Sequence, residues 1–232
     1  MRPTLNIGIQ AIRAGSRLIL QTMDRLDSMH NDQEKKHQSI NKLMNEVISQ
    51  MQEIITKAHP KHEVQWNNFN TIDPQKSIWQ LHPLAGLNNF KHDIPHFALQ
   101  LCLIQDATTQ IGVIYDPIRD ELYTATLGQG AYMNQRRIRA RSKPDGKAIV
   151  ANHTQSNELF NSDTCQNYHS GCLALDLAYL AHGRFDGLIV QSQPLSLQRA
   201  GLLMVKEAGA IQKDINPYTL ISHSQQIERL CD

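Results

Sequence analysis

No stretch of this chain approaches the roughly 20 consecutive apolar residues that a bilayer-crossing helix needs. Its start, Met1-Arg2-Pro3-Thr4, lacks the apolar core of a secretion signal. The expectation is a soluble, cytoplasmic protein with no membrane role. Paired cysteines are missing too. Cys102, Cys165, Cys172 and Cys231 are scattered and form no C-x-x-C, which argues against a zinc knuckle or a disulfide framework. Cys102, inside Leu101-Cys102-Leu103-Ile104, reads as a small buried hydrophobe. Charge imbalance is also lacking: 23 Lys and Arg against 22 Asp and Glu leave a net charge of +1. Nothing pulls the whole chain toward nucleic acid or acidic membrane, so any such contact has to come from a local patch.

What the chain has is enough apolar material for one substantial core: 232 residues, 41% of them hydrophobic. That suits a single domain over 1–232, with two intimate lobes of about 1–145 and 146–232. Apolar residues at 40, 43, 44, 47, 48, 51, 54, 55 and 58 form a helical stripe from Ile40 to Ala58, ended by His59-Pro60. Leu5, Ile9, Ile12, Ile19 and Met23 predict an earlier helix from Leu5 to Leu26, with Pro3 suiting its first turn. The polar run His30 to Ser39 reads as an exposed connection. Short apolar runs follow at Phe97 to Ile104, Ile111 to Tyr115 and Glu121 to Thr126. They are punctuated by Asp116-Pro117 and Gly128-Gln129-Gly130, as in antiparallel hairpins. A strand at Ala148 to Ala151 opens the second lobe. Helices are expected from Gly171 to His182, ended by Gly183, and from about Leu197 to Ala208, ended by Gly209. The pattern is that of a layered α/β (α+β) protein.

The segment Trp79-Gln80-Leu81-His82-Pro83-Leu84-Ala85-Gly86-Leu87-Asn88-Asn89-Phe90 resembles the W-x-I-D-P-L-D-G-T-T-N-F signature of the inositol monophosphatase family. Further stretches are similar to that family, and particularly to its bacterial members that also serve in ribosomal RNA transcription antitermination. They include Val113-Ile114-Tyr115-Asp116-Pro117, Thr124 through Ala131, Ala174-Leu175-Asp176-Leu177-Ala178-Tyr179 and Gly183-Arg184-Phe185-Asp186-Gly187. The resemblance implies a five-layered α-β-α-β-α sandwich of the inositol monophosphatase and sugar phosphatase type, a homodimer, and Mg²⁺-dependent cleavage of phosphate monoesters.

The residues at the family's site depart from that chemistry. Mg²⁺ takes oxygen ligands, normally from carboxylates. The positions that match the family site are Met44, Asn67, Asn68, His82, Leu84, Ala85, Leu87, Val190 and Leu197. None is a carboxylate. The expectation is therefore that no catalytic group and no metal site remain, and that the family's Mg²⁺ is lost. His82, with His92 and His96 nearby, is the one substitute worth weighing, but zinc needs three or four converging ligands. Asp73, Asp93 and Asp106 read as solvated charges. The stretch between Ala151 and Gly171, and that from Ile211 onward, are shorter than the family pattern implies, which fits a relaxed demand on the substrate side of the cleft.

The densest positive cluster is Arg136-Arg137-Ile138-Arg139-Ala140-Arg141-Ser142-Lys143. If extended, Arg137, Arg139, Arg141 and Lys143 share one face and make a stripe able to follow a phosphate backbone. A solvated edge strand guarded by charge is the plainer alternative. No aromatic interleaves with the stripe, so base stacking on it is unsupported. Two functions fit the chain: a non-catalytic homologue acting on the transcription machinery or RNA, or a residual phosphate monoester hydrolase, such as an inositol-1-phosphate phosphatase, with altered metal use. A decaying duplicate without function is the third possibility.

Overall fold

The computed structural model describes residues 2–27, 33–67, 72–142, 146–154, 163–191 and 198–223. Two long helices, α1 (Arg2–Asp27) and α2 (Gln33–Ala58), lead the chain. Each has an apolar stripe: Ile12 and Ile19 on α1, and Ile40, Val47, Met51 and Ile55 on α2, all buried. The two stripes pack on each other and on one face of a seven-stranded sheet, against Trp79, Leu81, Leu99, Leu101 and Val113.

That first sheet runs in sequence order: β1 (Glu63–Gln65), β2 (Ile78–Ala85), β3 (Ala98–Gln105), β4 (Thr108–Asp116), β5 (Glu121–Thr126), β6 (Gly130–Met133) and β7 (Arg136–Ile138). β1 lies parallel to β2 and every later pair is antiparallel. Between β2 and β3 comes the short helix α3 (Leu87–Lys91). The second sheet has the order β11-β12-β10-β8-β9, built from β8 (Ala148–His153), β9 (Cys165–Tyr168), β10 (Gly187–Gln191), β11 (Ala210–Ile215) and β12 (Tyr218–His223).

Helices α4 (Leu173–His182) and α5 (Arg199–Glu207) fill the space between the sheets. Period-two alternation drives the layering. Trp79, Leu81, Leu99 and Leu101 point to α1 and α2, while Ile78, Ala98, Cys102 and Ile104 point to α4 and α5. The chain is thus the expected mixed α+β sandwich, with four successive layers of helices, sheet, helices and sheet among the described residues. A smaller cluster of Ala148, Val150, Cys165, Ile189 and Leu220 lies on the second sheet. No helix among the described residues is long and apolar enough to cross a membrane.

One expectation needs correction. Residues 33–39 are the first two turns of α2, not an exposed connection. Gln, Glu and Lys are good helix formers, and polar turns leave no apolar periodicity to read. Within them Lys36 is 3% exposed, and its ammonium bonds both carboxylate oxygens of Asp93 at 2.8 and 2.9 Å. Asp93 thus stays exposed to solvent but is held in an ion pair. The pair ties α2 to the turn after α3.

Candidate functional site

The segment that resembles the phosphatase signature runs along β2 and into α3, and its frame residues each have a structural task. Trp79 is fully buried among the α1 and α2 side chains, and its indole N–H donates to His62 Nδ1 at 3.1 Å. Burial holds His62 below its usual pKa, which keeps that nitrogen free to accept. Gly86 turns the chain with φ 87°. A Cβ there would also lie 3.0 Å from the carbonyl oxygen of His96 and 3.2 Å from Cys172 Cβ, so only glycine fits. Asn89 is a bolt: its amide donates to the carbonyls of His96 and Ser170, both at 2.8 Å. The loop is held to the start of α4 by these bonds and by the Cys172 thiol, which donates to the Ala85 carbonyl at 3.5 Å.

The structure distributes the family-matching positions unevenly. Ala85 and Val190 are buried in one cluster with Cys172 and Ala174, between the sheets. Leu84 is buried in the other cluster, against which Met44 packs from α2. Leu87 opens α3 and is 39% exposed, and Asn67 is exposed just after β1. Asn68, Leu197 and Lys143 lie outside the described residues. Where the resemblance implies oxygens converging on Mg²⁺, the described side chains are mostly aliphatic packing.

His82 sits in β2 opposite Gln100 of β3, and the Gln100 amide nitrogen donates to its Nδ1 at 2.9 Å. Burial pushes its pKa down to about 4, so the ring is neutral at physiological pH. Gln80, two residues earlier on the same face, takes a weak bond from the Cys102 thiol at 3.9 Å and gives one to Gln65 at 3.4 Å. This face of the sheet is therefore bridged by amides, thiol and imidazole, all uncharged. His92 turns away and bonds the Asn88 carbonyl at 2.8 Å, and His96 is also held below its usual pKa, chiefly by burial. Both thiols are pushed up to about 12 by burial, which makes them inert as nucleophiles. Among the described residues no three His, Cys, Asp or Glu side chains gather as a metal site. The donor set does not fit Mg²⁺.

The nearest ionisable network belongs to the start of α4 and is structural. Asp176, fully buried, accepts from Ser170 Oγ at 2.5 Å and bonds His153 Nε2 at 2.6 Å. Ser170 Oγ also accepts the Cys172 amide at 3.0 Å. The aspartate sits between serine and histidine, so the imidazole cannot take the serine proton as a nucleophilic triad requires. What the cluster does is lock the end of β8 to the loop before α4. Its signal in the sequence was a single acidic residue inside the apolar run Leu173–His182.

The basic cluster lies elsewhere, at the far edge of the first sheet. β7 covers only Arg136–Ile138, so the stripe is strand at its start and irregular chain beyond. Arg137, Arg139 and Arg141 are exposed and alternate with buried Ile138 and Ala140. None of the three makes an ion pair among the described residues.

Comparison with known proteins extends over almost the whole chain. The sequence profile of the Inositol monophosphatase family matches residues 1–228. The protein called Nus factor SuhB in Buchnera aphidicola subsp. Baizongia pistaciae is 32% identical over 234 residues, covering 93% of this chain and 87% of that one. Nus factor SuhB of Escherichia coli K12 is likewise 32% identical over 232 residues, covering 92% and 86%. Among solved structures, the extragenic suppressor protein suhB from Bartonella henselae superposes with a TM-score of 0.80 at 26% identity, covering 97% of this chain and 96% of that one.

Proposed function

The chain belongs to the inositol monophosphatase family, and we propose that it is a non-catalytic member acting in transcription antitermination through contacts with the transcription machinery or RNA. One observation carries this reading. Ala85 and Val190, which match family site positions, are buried in an apolar cluster sealed by Cys172. A low-dielectric interior of that kind penalises the charges of a cation and a phosphate unless both are paired. Family relatives called Nus factor SuhB, matched along nine-tenths of this chain, supply the direction.

The loop from Trp79 to Phe90 keeps its shape because it is architecture. It positions α3 and the start of α4, and nothing in that task needs a metal. The working surface is the outside. Arg137, Arg139 and Arg141, with Lys143 next in the chain, form the RNA-contact candidate, since unpaired guanidiniums neutralise phosphates without first breaking an ion pair. The protein acts in the cytoplasm as a homodimer, with no membrane partner.

Reconstituted transcription through a ribosomal leader tests this directly. Purified chain in place of a SuhB relative is expected to restore readthrough of a downstream terminator while releasing no phosphate from inositol 1-phosphate. Failure to restore readthrough sinks the antitermination role. Turnover that depends on Mg²⁺, Mn²⁺ or Zn²⁺ instead revives the hydrolase reading, with His82 as the first residue to replace.

A further inference from the structure

On the outer face of the first sheet, α1 packs chiefly over β3 and β4 and α2 over β1 and β2. Beyond them lies a groove of about 670 Å³ between α1 and strands β5 and β6. Its floor is Leu122 and Thr124, and its walls carry Asn6, Gln129, Tyr132 and Gln135. We propose that this groove and the arginine stripe beside it form one binding site for single-stranded RNA, with a base stacked on Tyr132 and the backbone following Arg137 and Arg139. It rests on the reading above that the stripe meets RNA.

Register makes the two features one. Thr124 pairs with Tyr132 across β5 and β6, and Tyr132 pairs with Arg137 across β6 and β7. Directly paired residues of neighbouring strands share a face, so hydroxyl, ring and guanidinium form one row across the sheet. The aromatic that the stripe lacks along its own strand is supplied by the next one. Stacking on an aromatic beside a cationic track is how single strands are held without sequence preference. A third arginine, Arg13, stands at the α1 rim. Its side chain is 49% exposed and its link to Asp120 is long, at 4.0 Å. Arginines on both rims, none of them in a close ion pair, complement a polyanion rather than a basic peptide.

The walls are preorganised. Glu207 accepts the amides of Gly128 and Gly130, each at 2.8 Å, and so fixes the loop that presents Gln129. Tyr132 donates its hydroxyl to the Gln129 carbonyl at 3.2 Å, which holds the ring in place. The side-chain amides of Gln129, Gln135 and Asn6 offer both donors and acceptors to a splayed base edge. A duplex, whose bases are already stacked inside, has nothing to give this groove.

The test uses a labelled single-stranded RNA octamer of mixed sequence, its duplex, and the same octamer as DNA. The octamer should bind at least about tenfold tighter than the duplex, with a log–log salt slope of about −2 for three phosphate contacts. Tyr132→Leu should weaken it about tenfold, and Tyr132→Phe, which keeps the ring and loses only the bond to Gln129, by no more than about twofold. A 2-aminopurine placed in the octamer should lose fluorescence on binding to the unaltered protein, a readout that does not depend on any variant folding. If Arg137→Gln weakens binding while Tyr132→Leu and the 2-aminopurine signal do nothing, the groove is excluded and the stripe reading stands. Equal affinity for duplex and single strand has the same meaning. If no RNA binds to protein that still restores readthrough, both RNA claims fail and the antitermination role survives. Tighter binding of the DNA octamer overturns the assignment to RNA.

Discussion

The inner end of β2 and the outer edge of β7 handle charge in opposite ways. At the first, His82 is held neutral, Cys172 stays a thiol, and Asp176 is bonded through Oδ2 by Ser170 and His153 while its buried Oδ1 takes no hydrogen bond among the described residues. At the second, three arginines stand exposed without ion pairs among the described residues. A hydrolytic site needs the reverse, with charges concentrated in the cleft where water can be excluded and a phosphate bound. The contrast teaches that this scaffold has been retained while its electrostatics face outward.

Restoring a carboxylate is the strongest way to break that contrast. Ala85→Asp puts an unpaired charge into a cluster where the side chain is 5% exposed. The expected cost is about 4 kcal/mol in chemical denaturation. Added Mg²⁺ should recover none of it; recovery by millimolar Mg²⁺ would mean that the remaining ligands are in place after all. Next comes the pair of buried Lys36 and exposed Asp93 that anchors the turn after α3. Asp93→Ala strands the Lys36 ammonium and should cost about 3 kcal/mol, while the double change Lys36→Met, Asp93→Asn should recover most of it. A double mutant as weak as the single one would show that the aspartate matters for other reasons.

Acid sharpens the comparison further. Folded His82 titrates at about 4, below the roughly 6.5 of an unfolded histidine, so falling pH protonates the unfolded chain first. Stability is therefore full above about pH 6.5, declines toward about pH 4 and is level below, a loss of at most about 3 kcal/mol from this residue. His62, His96 and His182 are lowered in the same sense by burial and add to the slope. His82→Asn should flatten the profile measured by thermal unfolding; an unchanged profile would place the acid sensitivity elsewhere. The smallest expected effect on folding is at the outer edge. Arg137→Gln with Arg139→Gln should shift stability by no more than about 0.5 kcal/mol while weakening RNA binding. A large stability loss would make those arginines structural guards of the strand edge.

Much of this was legible in the sequence and some was not, for physical reasons. Apolar periodicity revealed α1, α4 and the hairpins β3 to β5, because each buries a regular face. It missed the start of α2, whose first turns are polar, and β11, whose Ile211 to Asp214 are exposed. The departures from the family signature at His82 and Ala85 were readable because neighbouring residues fix the register. The long-range bonds that stabilise this region were not readable. Lys36 and Asp93 are 57 residues apart, and Asn89 reaches Ser170 across 81. No local pattern announces such pairs. The join between Tyr132 and Arg137 also needed strand register, since it runs across β6 and β7 and not along either.

Isothermal titration calorimetry of the purified protein with Mg²⁺ tests the central claim most directly. A chain whose family site is packed with Ala85, Val190 and Cys172 should give no saturable heat up to millimolar Mg²⁺. Saturable binding at or below that concentration, abolished by replacing His82, would contradict the account and return the protein to the enzymes of its family.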